Sequence, residues 1–257
     1  MLTAHERRAQ IVSMTTAEGH SSVTGLAAHF RVTPETIRRD LAHLEEKGSI
    51  ERIHGGAVSP NSPARNTWIG WEPHVDHDSL KSQIAAKAFT LIKDGPCSIF
   101  IDAGHSTSAL ASIMAERYNG QQWQVVTNSL NAAMILSAGG VPGVRLLGGA
   151  MRAYTRAVVG DEAVANLGSL RADIAFMGTN GISVEHGVST PDSSEAAIKR
   201  AMVQAAHRSI ILCESEKFGH DYMNTFAPLT AIHTVVTEDE AGADFRSAME
   251  RCSVAVL

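Results

Sequence analysis

Residues 23–57 read VTGLAAHFRVTPETIRRDLAHLEEKGSIERIHGGA, and the amino-terminal architecture follows from this stretch. The spacing predicts a short helix over 23–30, with Leu26, Ala27 and Phe30 on one face, then a tight connection at Arg31-Val32. Thr33-Pro34-Glu35 is a helix start. The Thr33 hydroxyl can cap free amides, Pro34 suits the first turn, and Glu35 complements the positive end of the helix dipole. The helix so begun runs to about Lys47 and stops at Gly48. Ile37, Leu41 and Leu44 recur at i, i+4 and i+7 as a buried stripe, which leaves Glu35, Arg38 and Arg39 outward on the amino-terminal half. Beyond it, residues 50–54 alternate like a strand and close at Gly55-Gly56, as a small wing would. Upstream, a first helix is expected from about residue 4 to 16, with Gly19 as its stop.

Helix, tight turn and second helix with outward arginines is the geometry that lays a helix in the major groove of DNA. Arginine suits that role because its planar fork binds guanine O6 and N7 together, or grips a phosphate. The same shape recurs in folds that never meet DNA, where an Arg-Arg pair is merely solvated. Net charge does not separate the two readings. The whole chain carries −5, and residues 1–58 hold seven Lys/Arg against seven Asp/Glu. Recognition of DNA must come from where the positive charges sit.

The rest of the chain has a different grammar. Residues 59–66 (SPNSPARN) are turn formers with few apolar side chains, and the segment 59–80 is expected to link a head, 1–58, to a larger domain, 81–257. In that domain, strands are expected at 97–101, 124–126, 144–147, 174–177, 209–212 and 234–236, with helices at 106–117, 130–138 and 194–206. Such alternation gives an α/β domain with a mostly parallel sheet. Ligands of such sheets sit beyond the carboxyl ends of the strands. Five expected strand ends carry small or polar residues there: Asp102, Gly104, His105, Ser106 and Thr107; Thr127 and Asn128; Gly148 and Gly149; Gly178 and Gly181; Glu214 and Lys217. Gly104 permits close backbone approach, and Ser106 and Thr107 open a helix whose free amides favour a phosphate. Asp102 can take hydrogen bonds from sugar hydroxyls, and Lys217, Lys81 or Lys199 can neutralise a phosphate. On any single loop, ordinary turn chemistry explains such residues equally well.

Composition removes other classes. No run of 18 uncharged apolar residues occurs and the first ten residues are polar, so neither a membrane span nor a secretory signal is expected, and the cytoplasm is the default compartment. The three cysteines form no CxxC pair, and Cys97 and Cys213 read as core residues. His74-Val75-Asp76-His77-Asp78 has metal-like donors but lies in the expected linker, so no metal and no cofactor is assigned. Asp161-Glu162 and Glu238-Asp239-Glu240 read as surface charge, and Glu195 with Lys199 as an i, i+4 surface pair.

Residues 23–57 closely resemble the amino-terminal signature of the DeoR family of sugar-metabolism repressors, through Thr36-Ile37-Arg38-Arg39-Asp40-Leu41, Gly48, Arg52 and His54-Gly55-Gly56-Ala57. The resemblance extends from Lys81-Ser82-Gln83-Ile84-Ala85 to Thr237, through Asp102-x-Gly104-x-Ser106-Thr107, Val126-Thr127-Asn128-Ser129, Leu147-Gly148-Gly149, Gly178-x-x-Gly181-Ile182, Glu195-x-x-x-Lys199 and Ser215-x-Lys217-Phe218-Gly219. His105 and Glu214 depart from the usual hydroxyl residue and Asp. The resemblance implies a winged helix-turn-helix head and a sensor domain similar in fold to ribose-5-phosphate isomerase and CoA transferases. It also implies a homo-oligomer (dimer or tetramer) and a phosphorylated sugar or polyol effector. Double-stranded operator DNA would be read by Arg38 and Arg39, with Arg52 and His54 on the wing and Thr33, Glu35 and Thr36 alongside. It raises Glu195 and Lys199 to effector contacts. The rival function is a sugar-phosphate isomerase-like enzyme using Asp102 or Glu214 as base and Lys217 as electrostatic partner, for which the segment 33–57 would have no use.

Overall fold

A computed structural model describes residues 3–18, 20–53, 56–58, 79–153, 155–238 and 242–257. The chain divides into two compact units, Met1–Glu72 and Pro73–Leu257. The metal-like segment 74–78 and His54 lie outside the described residues, as does the expected linker up to residue 78.

The first unit has α1 (Ala4–Glu18), β1 (His20–Ser22), α2 (Val23–Phe30), α3 (Pro34–Glu46), β2 (Glu51–Ile53) and β3 (Gly56–Val58). The strands form an antiparallel sheet ordered β1-β3-β2. As expected, Ile37, Leu41 and Leu44 are buried, packed with Ile11, Val23, Leu26, Ala27, Ile50 and Ala57. The α2–α3 turn places Arg31 in the left-handed region (φ 53°). Thr33 Oγ1 caps α3 by accepting from the Thr36 amide at 3.3 Å. Gly48 (φ 66°) ends the helix, its amide donating to Glu45 O at 2.8 Å and the Ser49 amide to Leu44 O at 3.0 Å. That crossed pair needs a left-handed residue between its donors, the usual reason for glycine there.

One polar feature of this unit has no counterpart in the sequence reading. Asp40, within the Arg-Arg-Asp run, is buried and receives Arg7 Nε at 2.6 Å and Arg8 Nε at 2.7 Å. These bonds fasten α1 across α3, so Arg7 and Arg8 serve the fold.

The second unit is built on a seven-stranded sheet. Its elements begin with α4 (Ser79–Phe89), β4 (Cys97–Ile101), α5 (His105–Glu116), β5 (Trp123–Thr127), α6 (Leu130–Ala138), β6 (Arg145–Leu146), β7 (Ala150–Met151) and β8 (Val158–Val159). They continue with α7 (Asp161–Gly168), β9 (Ala172–Gly178), β10 (Gly181–Ser183), β11 (Gly187–Thr190), α8 (Ser193–Ala205), β12 (Ala206–Leu212), β13 (Asn224–Ala227), β14 (Thr234–Val236), α9 (Ala243–Arg251) and β15 (Ala255–Val256). The main sheet runs β15-β14-β12-β9-β4-β5-β6, with every neighbouring pair parallel. Alternate residues of its central strands enter opposite cores. Ile99, Ile101, Ile174 and Phe176 pack with α4, α5 and α6, whereas Phe100, Ala175 and Met177 pack with α7, α8 and the small antiparallel sheet β10-β11-β13. Burial on both faces explains why these strands read as continuous apolar runs.

From β4 the chain winds outward through β5 to β6, then returns to β9 on the other side of β4. The order therefore reverses between β4 and β9. Connecting loops diverge at such a point, leaving a crevice beyond the carboxyl ends of the two strands.

Replacing Asp40 by Ala leaves Arg7 and Arg8 without their buried partner. The variant should lose about 3 kcal/mol, the low end for a broken buried pair because arginine can still reach water. Urea unfolding of the full chain tests this, and a loss near zero would mean α1 is held by its apolar face alone.

Candidate nucleic-acid and effector sites

The outward face of α3 carries the expected residues. Arg38 and Arg39 side chains are 60% and 79% exposed, and Glu35, also exposed, lies between them at 3.6 Å from Arg38 and 3.4 Å from Arg39. The carboxylate thus holds both guanidinium groups over one surface, in i, i+3 and i, i+4 relation. Thr33 and Thr36 share a hydroxyl contact of 2.9 Å at the start of the helix. Arg52 lies on β2, its backbone in register with Ala57 of β3.

In the second unit a buried charged floor joins the carboxyl ends of β4 and β9. Asp102, 1% exposed, follows β4, and its Oδ2 accepts from the Gly178 amide at 3.1 Å and from Lys199 of α8. Lys199 is buried too and also donates to Gly178 O at 3.0 Å. Burial pushes the Asp102 carboxyl above the ordinary carboxylate range, against the pull of the Lys199 ammonium. The surface-pair expectation for Glu195 and Lys199 is thereby corrected. Lys199 points inward to Asp102, and Glu195 is bound by Arg152. Periodicity alone cannot tell that one turn of α8 lies over a sheet end.

Above this floor α5 begins with Gly104 as its N-cap, and no side chain caps it. The Gly104 carbonyl takes the Ser108 amide (3.0 Å) and the hydroxyls of Thr107 (3.0 Å) and Ser108 (2.7 Å). Ser106 is buried in the same turn, and His105 opens the helix. The first-turn amides of a helix have no carbonyl partners within it, which makes this end a place for an anion. Thr127 and Asn128 brace the turn. Thr127 Oγ1 donates to Ile101 O at 2.6 Å, and Asn128 Oδ1 accepts the Ala103 amide at 2.9 Å. Gly148 and Gly149 lead into β7. Gly181 starts β10, where an added Cβ would lie 2.2 Å from the His220 carbonyl.

A second charged group lies after β12. Glu214 is buried, with Lys217 Nζ at 2.6 Å and Lys81 Nζ of α4 at 3.8 Å. Burial opposes its ionisation, but the two ammonium groups outweigh it and hold the carboxyl below its ordinary value. Glu238, expected as surface charge, is buried instead. It accepts the Ser215 amide and hydroxyl and Thr237 Oγ1 (2.8 Å), which likewise keep its carboxyl low against burial. It follows the carboxyl end of β14, a sixth strand end with polar chemistry.

Two further residues went unnoticed in the sequence. Arg152, beside β7, binds Glu195 with one guanidinium nitrogen and Asp192 Oδ2 with the other at 3.2 Å. Asp192 caps α8 by accepting the Glu195 amide at 2.9 Å. The Asp192-Ser193-Ser194-Glu195 helix start was available as a signal. Arg152 offered none, because its partners lie some forty residues downstream. Two cavities, of about 260 and 340 Å3, lie away from this chemistry. The first is lined by Lys93, Cys97, Asp173 and Arg208, and the second by Phe100, Gln124, Arg145 and Arg171. Among the described residues no cluster of three or more His, Cys, Asp or Glu could hold a metal, and no helix is long and apolar enough to cross a membrane.

A helix-turn-helix head with a small antiparallel wing, followed by a doubly wound α/β domain, defines a DNA-binding transcription regulator with a separate sensor domain. Residues 7–63 match the DeoR-like helix-turn-helix domain and residues 76–239 the DeoR C terminal sensor domain. The chain belongs to the DeoR family. The HTH-type transcriptional regulator GlpR of Haloferax volcanii is 34% identical over 252 residues, covering 98% of this chain and 96% of that protein. A putative aga operon transcriptional repressor of Escherichia coli O157:H7 is 30% identical, covering 98% and 93%. Among solved structures, ribose 5-phosphate isomerase A of Methanocaldococcus jannaschii aligns with 55% of each chain at 16% identity and a TM-score of 0.42. The relatives are regulators, so the isomerase-like alternative is set aside and the chain is not an enzyme.

Lys199→Met strands the buried Asp102 carboxylate and should cost roughly 3–5 kcal/mol. Its deficit should grow as pH rises, because an acid whose folded pKa is raised binds its proton in the folded state and loses that advantage on titration. The double variant Asp102→Asn, Lys199→Met should recover much of the loss in urea unfolding. Strict additivity would deny the coupling.

Proposed function

We propose that the chain is a repressor of carbohydrate uptake or catabolism genes, acting in the cytoplasm as a homo-oligomer. In this reading residues 1–58 hold double-stranded operator DNA, 59–80 connect, and 81–257 bind a phosphorylated sugar or polyol and carry oligomerisation. Arg38 and Arg39 read base edges, Glu35 aligns them or accepts from cytosine, and Thr33, Thr36, Arg52 and His54 hold the backbone. The observation that carries the sensor half is the uncapped start of α5 at the switch point of the sheet, in a domain where Lys81 and Lys217 both stand against the buried Glu214. A phosphate fits the amides, and the lysines supply its counter-charge. Asp102, Lys199, Gly178 and Gly181 form the floor. Thr127, Asn128, Gly148 and Gly149 fix the rim. The name borne by a relative in Escherichia coli K12, a glycerol-3-phosphate regulon repressor, supports control by a phosphorylated polyol.

The same cluster supplies a route for coupling. Lys81 stands on the first turn of α4, the first described element after the linker, and Lys87 of α4 donates to Thr237 O at 2.9 Å. A phosphate that draws Lys81 and Lys217 from Glu214 changes how the start of α4 is held, and through the chain how the head is presented. A coupling of about 1–3 kcal/mol changes operator occupancy 5–150-fold.

Arg39→Ala should weaken operator binding by roughly 1–3 kcal/mol and leave effector affinity unchanged. Gel-shift titration beside calorimetry checks both, and unaltered DNA affinity would remove Arg39 from the reading surface. Lys81→Met should keep DNA binding yet blunt the effector response. A normal response at the normal effector concentration would exclude the α4 route.

A further inference from the structure

We infer that Glu238 is a positioning residue of the effector site, holding the short turn from which Lys217 reaches the ligand phosphate. The inference rests on the contact proposed above for Lys217 and deepens it, by naming what keeps that ammonium in place.

Strands β12 and β14 are parallel neighbours with Leu212 in register with Val236, and the Cys213 amide extends the ladder by donating to Val236 O at 3.2 Å. The segments leaving the two strands therefore start side by side, one toward Ser215 and the other toward Glu238. The first makes a single 3-10 turn, Ser215–Lys217. So short a turn has little rigidity of its own. It is tied at both ends. Beyond Lys217 the Gly219 amide donates to Ile182 O at 2.8 Å. At the start Glu238 takes both donors of Ser215: the amide, 3.0 Å from Oε1 and 3.1 Å from Oε2, and the hydroxyl on Oε1. Thr237 Oγ1 donates to Oε2 at 2.8 Å. Glu238 is anchored in turn, because Lys87 of α4 donates to the carbonyl of Thr237 at 2.9 Å.

The donors that meet Glu238 are an amide and two hydroxyls, all neutral. Burying a carboxylate among neutral partners is a costly way to brace a loop. It fits here because both oxygens must accept. A carboxylate only accepts, whereas the amide of glutamine would turn an NH2 group on one of these donors. Bonds to an ionised acceptor are also the stronger tether. What the tether serves lies two residues on, at Lys217, whose ammonium stands 2.6 Å from the buried Glu214. Lysine carries its charge on a flexible stem that must be ordered when a ligand binds. Fixing its backbone beforehand removes part of that cost. Glu238 thus raises affinity without touching the phosphate.

A double-mutant cycle in the full chain separates this from a purely structural role. The probes are glycerol 3-phosphate, ribose 5-phosphate and fructose 1-phosphate, read by calorimetry, with ligand in large excess so that weakened variants remain measurable. Glu238→Gln should weaken the probe that binds by about tenfold, the worth of one hydrogen bond to a charged group. Combined with Lys217→Met, the same substitution should cost less than about twofold more, because the residue it positions is gone. An equal loss in both backgrounds overturns the inference and leaves phosphate sensing intact, and so does unchanged affinity in Glu238→Gln alone. Unchanged affinity in Lys217→Met removes the lysine contact and the inference with it. Binding of no probe to the unaltered chain overturns the effector reading as well. Should Glu238→Gln fail to fold, Ser215→Ala, which deletes the hydroxyl and keeps the amide bond, goes through the same cycle with an expected loss of about threefold.

Discussion

The sensor domain is organised around one buried ion pair. Asp102 closes β4, Gly178 closes β9 and Lys199 comes from α8, and a single carboxylate oxygen gathers the amide of one and the ammonium of the other. The reversal of strand order opens a gap between these two strands, and the pair fills its base with opposite charges that satisfy each other. A buried pair of this kind is weak evidence of net stability, because desolvation offsets much of the attraction. Its effect is positional: it fixes the turn at 102–104, and hence where α5 begins.

Much of the fold was legible because apolar period and turn chemistry agree. Thr33-Pro34-Glu35 and Gly48 bound α3 as expected, and Ile37, Leu41 and Leu44 form its buried stripe. The strands at 97–101 and 234–236 have the expected bounds, since runs buried on both faces announce themselves by continuity. The small strands β10, β11 and β13 were missed. They are three or four residues long, carry Ser183, Ser189, Thr190, Asn224 and Thr225, and show no alternation to detect. The two-residue β7, β8 and β15 offered still less.

The candidate sites were legible in residue type but not in pairing. Strand-end position marked Asp102, Glu214 and Lys217, and helix polarity marked Arg38 and Arg39. Which charge answers which was hidden, because those partnerships cross the sheet or the helix bundle. Lys199 lies 97 residues from Asp102, and Arg7 lies 33 from Asp40. Two misreadings, the surface roles given to Glu238 and Lys199, share one cause. Neither an acidic run nor i, i+4 spacing tells a solvated charge from a buried one, and strand ends and the helices over them are where buried charges find partners.

The clasp of Glu35 on Arg38 and Arg39 bears on how such a regulator searches a chromosome. A head with seven charges of each sign, and a carboxylate standing between its two reading cations, exerts little long-range pull on a polyanion. Random sequence then retains it only briefly, since few condensed ions are released there. Fewer molecules are sequestered on the vast excess of decoy sites, so a small cellular pool can keep its operators occupied.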